Sequence, residues 1–425
     1  MIKNSIKVYT NFFSKRHFKK IYFNSVINSI VANMINMLIV WNVFTATGNV
    51  ILISLLTVSF QVVSIIFGPI CGVFADRLDP IKSKIFLNIF RAFLYIFIAF
   101  LPIINIISYF IILFIVLVNI AIATLDDILS SKLRRTMMSD EELITANALS
   151  TILFDFTFLL GHLIGGVLFS FGFNNEIFLF NAAAKIISAI IYFTIKIDES
   201  KKIVEIEPKE KVPKLKKRFL KDFFEGLGVL KENNILKKLV FLQGFWNMFI
   251  WGTSSVFLPV LAMSLGVEEE EGLFYGLLMG AVSVGIIIAS LIVGTLNKVK
   301  NIRMRKIMLY SGMLHALVFS LIGIPNSFLL VYIIIVISGL SCTPFMIYEY
   351  TLIERESPKD KLGRVYSLSS AITNIAYSMG AIISGFVLTI VGNEFLMYVY
   401  LTSGLMMFIT VIFLGNGLLY NKKEI

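Results

Sequence analysis

Asp155 and His162 stand seven residues apart inside the otherwise apolar stretch 148–171. Seven residues is two helical turns, so a helix sets both on nearly one face. An ionisable side chain at membrane depth is costly and tends to be functional. A carboxyl group held away from water can take up a proton near neutral pH, and an imidazole beside it can pass one on. The pair is therefore a candidate proton relay. Arg91, alone in the apolar run 85–104, joins it as a candidate. The plainer reading pairs Asp155 with a cation such as Arg91 near a helix end. Lys185, alone in 177–195, either pairs across helices or reaches an interface with its ammonium.

Two further stretches carry polar groups among apolar ones. NSVINSIVANMINMLIVWN places Asn28, Asn33 and Asn36 where they could line a polar cavity, and Trp41 near the outer membrane interface. The segment around Gln243, Trp246, Asn247, Trp251 and Thr253 suits a broad pocket for amphipathic compounds, or else an aromatic core. Asn33, Asn36, Gln243, Trp246 and Asn247 are the candidates for a substrate pathway. Asp126, Asp127 and Glu349 close apolar runs and are expected to bind cations of nearby turns. His315 reads as a packing residue. No Walker loop, His/Cys cluster or Ser-His-Asp set occurs, so neither ATP hydrolysis, a metal, a cofactor nor enzymatic catalysis is expected. Cys71 and Cys342 both lie in apolar runs and read as free buried thiols.

The elements that must position these residues follow from composition. The 425-residue chain is 57% hydrophobic and 15% charged. A water-soluble protein could not cover that much apolar surface, so the fold is expected to be an all-α integral membrane bundle. A span needs about 20 mainly apolar residues. Twelve such runs occur: 21–43, 50–75, 85–104, 107–125, 148–171, 177–195, 239–265, 273–296, 306–324, 328–348, 366–391 and 395–418. They are too long for barrel strands and lack a two-residue alternation. Of 38 Lys and Arg, all but Arg91 and Lys185 fall at the termini or in alternate loops, while one opposite loop, near Glu268, is purely acidic. The positive-inside rule then places both termini in the cytoplasm, with no signal peptide. The net charge of +11 belongs to a membrane surface, not to nucleic acid.

The chain also repeats. At an offset of 219, Gly161 meets Gly380 and Gly166 meets Gly385; at 222, Gly72 meets Gly294 and Asp127 meets Glu349. Two six-helix halves, 1–195 and 239–425, related by a pseudo-two-fold axis, are expected, joined by a basic linker, 196–238. An amphipathic helix near Leu215 to Leu230 would tie the linker down or lie in the interface. Parallel repeats of this kind are a transporter architecture.

The twelve runs, the basic central loop and the turn GVFADRLDPIK after the second run resemble the major facilitator superfamily, and within it the macrolide-efflux-type drug exporters. Gly72, Asp76, Arg77, Lys82 and Lys84 fit the family's glycine-acid-cation turn, with Asp79 where many members have glycine. Arg91, the segment SDEELITANAL and the segment GRVYSL are also similar to that subgroup. Gly161-His162-Leu163-Ile164-Gly165-Gly166 resembles an antiporter motif with His162 in place of proline. The resemblance implies alternating access, with Gly72, Asp76 and Arg77 forming a latch worth about 1–3 kcal/mol between two states. Gly161, Gly165, Gly166, Gly380 and Gly385 are expected to pack helices closely. It also implies a plasma-membrane exporter, acting as a monomer, that exchanges protons for a small amphipathic or macrolide-like substrate. Related folds move lysophospholipids across the lipid bilayer, and a transport-inactive sensor is the alternative from another class.

Overall fold

The computed structural model describes residues 16–101, 106–137, 140–195, 225–265, 271–295, 301–358 and 361–419. These residues form twelve long helices and no strand. In chain order they are α1 (Arg16–Thr47), α2 (Val50–Arg77), α3 (Pro80–Ala99), α4 (Ile106–Met137), α5 (Asp140–Ser170), α6 (Asn174–Phe193), α7 (Asn234–Leu265), α8 (Glu271–Thr295), α9 (Asn301–Ser320), α10 (Phe328–Glu356), α11 (Leu362–Val391) and α12 (Leu396–Leu419). In hydrocarbon every backbone group must be satisfied within the segment, and the helix achieves this. Ten of the twelve are long and apolar enough to cross a membrane. The other two, α3 and α9, carry Lys82, Lys84 and Arg91, or Arg303, Arg305 and Lys306, among their apolar residues. On α3 the rings of Phe86, Phe93 and Phe100, seven residues apart, are exposed, as suits a face turned to lipid.

The described chain divides into two compact units. One holds the residues up to Ile39 with Val63–Pro213; the other holds Val40–Val62 with Lys214–Ile425. In the first unit α3 packs along α6 and α4. There α5 lies directly on α1: a Cβ added at Gly161 would sit 2.5 Å from the Asn33 Cβ and 2.6 Å from the Ile30 carbonyl oxygen. Gly165 makes the same kind of approach to Met34. In the second unit α8 and α9 pack on α10, α9 packs on α12, and α11 packs on α7. Gly380 of α11 meets the Met248 backbone of α7 with no room for a side chain. There α7 widens to a π turn at Asn247–Gly252. The matched glycines of the repeat thus do one job in each unit. Two others also correspond: Gly172 (φ 82°) and Gly392 (φ 90°) turn the chain from α5 to α6 and from α11 to α12. Left-handed backbone of this kind suits a residue without Cβ.

Trp41 is 1% exposed and stacks on Tyr275, centroids 5.5 Å apart, within the second unit, so its ring is packed in the core. Residues 225–232 are helical and dock on α11, Glu225 pairing with Arg364 and Gly226 lying against Leu368. The rest of the expected linker helix, 215–224, lies outside the described residues.

The turn after α2 is tightly built. Asp79 caps α3, its carboxylate accepting from the Ile81 and Lys82 N–H groups at 2.9 Å each, with Pro80 opening the helix. This is a strong helix start, since the cap satisfies orphan donors and proline lacks one. Lys132 of α4 donates to the Ala75 and Leu78 carbonyls at 2.9 and 3.0 Å and so closes the end of α2. Gly72 and Asp76 lie in the last turns of α2 and Arg77 ends it, exposed. The Asp76 side chain lies outside the described residues.

Candidate functional site

Helices α1, α3, α4, α5 and α6 of the first unit surround a cavity of about 440 Å³. It lies toward the end of the bundle that carries the basic turns. On α3, Lys84, Asn88 and Arg91 recur at the helical spacing of four and three residues, so one face presents all three. On α1, Asn24 and Asn28 do the same. Opposite stand Asp126 and Asp127 of α4, Thr157 of α5, and Lys185 and Tyr192 of α6.

The polar groups fall into hydrogen-bonded clusters. Lys84, 1% exposed, donates to the Asp126 carboxylate at 2.6 Å and to the Ser130 hydroxyl at 2.6 Å. Its ammonium also lies 4.9 Å from the centre of the Tyr192 ring. The Asn88 amide donates to the Lys84 carbonyl at 2.7 Å. Lys185 donates to Asn28 Oδ1 at 2.7 Å; the Asn28 amide donates to Ser188 Oγ at 2.6 Å; Ser188 donates to Asn24 Oδ1 at 2.8 Å. Arg91 donates through Nε to Asn119 Oδ1 at 3.4 Å. Buried polar groups need such partners, because each unsatisfied one costs desolvation energy.

The placement of the sequence candidates differs from residue to residue. Arg91 lines the cavity, while Asp155 and His162 do not. Asp155 is half-buried, with no ion pair to Arg91 or to any other described residue. His162 is 3% exposed; its Nδ1 donates to the Phe158 carbonyl at 2.8 Å, and its ring lies 4.1 Å from that of Phe158. Asn33 packs beside Gly161, and Asn36 is exposed. The asparagines that reach the cavity are Asn24 and Asn28 instead. Gly166 is buried in α5, and Gly385 abuts Ser54 and the Val50 carbonyl.

The second unit has an aromatic interior. Trp246, 2% exposed, stacks on Phe345 at 3.8 Å and on His315 at 4.6 Å. His315 is hydrogen-bonded to Ser338 at 2.9 Å. Gln243 accepts from Ser369 at 2.5 Å, and Asn247 donates back to the Gln243 carbonyl at 2.9 Å. Gln243 and Trp246 are therefore core residues here, not the lining of an open pocket. Glu349 corrects a second expectation. It is 2% exposed with Oε1 unpartnered, and it makes no ion pair with any described residue. A buried cation in that unit, Arg305, pairs instead with Glu356, at 2.7 Å.

The family described as Major Facilitator Superfamily matches residues 21–340 and again 240–421. The chain belongs to that superfamily. It is 22% identical to macrolide efflux protein A of Streptococcus pyogenes over 381 residues, covering 87% of this chain and 89% of that protein. Among solved structures it resembles the nucleoside transporter NupG, with a TM-score of 0.71 at 12% identity over 96% of this chain and 100% of that one. It also resembles a bacterial homologue of the human lysosomal transporter Spinster, with a TM-score of 0.65 at 13% identity over 95% and 96%. As a superfamily member it is a multi-pass membrane transporter and not an enzyme.

Proposed function

We propose that this chain is an exporter of amphipathic compounds, macrolide-like molecules among them, that works by alternating access in exchange for protons. It acts as a monomer in the cell membrane with both termini cytoplasmic. The observation that carries the reading is the co-linear match to a macrolide efflux protein across almost the whole of both chains. The polar cavity supports it, since a water-accessible, hydrogen-bonding volume inside an apolar bundle is what a transporter needs and a scaffold does not. The proton carrier in this reading is Asp155, an acid within a span with no ion pair among the described residues. His162 would assist it, and Gly72, Asp76 and Arg77 would bias the two states.

The test is efflux of a fluorescent cationic dye and of erythromycin from expressing cells, with and without a collapsed proton gradient. Gradient-dependent export, lost in Asp155→Asn at equal membrane abundance, is the expected outcome. Export that ignores the gradient would remove proton exchange. Export of neither compound would remove the drug reading.

A further inference from the structure

The cavity of the first unit has more positive than negative charge. Lys84, Arg91, Arg134 and Lys185 face it against only Asp126 and Asp127. Asp126 is already engaged by Lys84. Asp127, exposed, is left as the one carboxylate near Arg91 and Arg134. Arg91 and Lys185 are 8% and 5% exposed, yet neither makes an ion pair with any described residue. Each has one neutral asparagine as its hydrogen-bond partner: Asn119 Oδ1 for Arg91, at the long distance of 3.4 Å, and Asn28 Oδ1 for Lys185. A guanidinium has five N–H donors and an ammonium three, so most of the donors on both remain for whatever enters. Four basic side chains against two carboxylates, one of them already engaged by Lys84, leave positive charge in the cavity that an entering anion would offset.

We infer that this cavity is a binding site for an anionic group, a phosphate or carboxylate held between Arg91 and Lys185 with Asn24, Asn28 and Asn88 around it. A planar guanidinium beside a point-charge ammonium is well matched to an oxyanion. The cavity volume admits a head group or a small organic anion rather than a whole amphiphile. The inference rests on the transport reading and narrows its substrate: among amphiphiles, those with an acidic head are preferred.

Binding to the purified full-length protein, measured without any gradient, tests this separately from export. The probes are lysophosphatidylglycerol, the uncharged monoacylglycerol of the same chain length, and glycerol phosphate, with a cationic dye as the opposite charge. Lysophosphatidylglycerol should bind about tenfold or more tightly than the monoacylglycerol, the scale of one charge-assisted contact. Arg91→Gln or Lys185→Gln should abolish that margin, while Lys185→Arg keeps most of it. Glycerol phosphate bound on its own, with loss in the same variants, would identify a free anion as the source and still support the site. Equal affinity for lysophosphatidylglycerol and the monoacylglycerol in the unaltered protein would overturn the inference without any variant. So would tighter binding of the dye, or a margin that survives both glutamine substitutions.

Discussion

The two units share a scaffold and differ in what fills it. In each, a glycine on the fifth helix of the repeat meets the first helix backbone to backbone, and a glycine with positive φ makes the next turn. In each, a buried cation near the start of the third helix holds an acid on the fourth, Lys84 with Asp126 and Arg305 with Glu356. Between those fixed points the interiors diverge. The first unit has charges and asparagines around an open volume; the second has Trp246 stacked on Phe345 and on His315. Duplication has kept the parts that set backbone spacing. The side chains that face inward differ, charges and asparagines in one unit and aromatic rings in the other.

The comparison can be broken most forcefully at Lys84. Lys84→Met leaves Asp126 without its partner, and removing one member of a buried pair costs about 3–5 kcal/mol. Thermal unfolding should show a large loss, or no monodisperse protein at all. A small loss would mean the first unit does not depend on its charges. Gly161→Ala and Gly380→Ala should each destabilise by about 1–3 kcal/mol through overpacking, measured by the same unfolding assay. Similar losses would sharpen the idea of a common scaffold, and a loss in only one would break it. Trp246→Phe should lower stability by about 0.5–1.5 kcal/mol through the stack and leave the binding of anionic head groups unchanged. Asp79→Ala should cost about 1 kcal/mol by uncapping α3. Smallest of all, Glu349→Gln should leave stability unchanged or raise it, because that acid has no partner to lose. Asp126→Asn, in contrast, should be clearly destabilising.

Much of the fold is legible in the sequence because the signal is long. A run of about twenty apolar residues has few other uses. The repeat is legible because glycines at close crossings have no substitute of equal size. The interior of the first unit is harder to read. Lys84 lies next to a turn and looks like a topological charge; only the start of α3 at Asp79-Pro80 rotates it inward. That start was visible as an Asp-Pro helix signal, and the Lys84, Asn88, Arg91 spacing follows from it. The choice between Asn24 and Asn28 on one side and Asn33 and Asn36 on the other is a matter of helix phase. At about 100° per residue, a uniformly apolar helix gives no second marker to set it. Trp41 is hard to read for a related reason: an aromatic near a span end suits lipid or core equally well, until a partner such as Tyr275 is found.

The glycine seam on α5 and α11 also bears on how this gene can change. Every single-base substitution that alters a glycine codon without ending translation introduces a larger residue, and at Gly161 and Gly380 there is backbone where the first added carbon would go. Lineages selected for a new cargo should therefore leave those codons fixed. Their adaptive substitutions should collect around the cavity, where exchanging one side chain alters what is held without moving a helix.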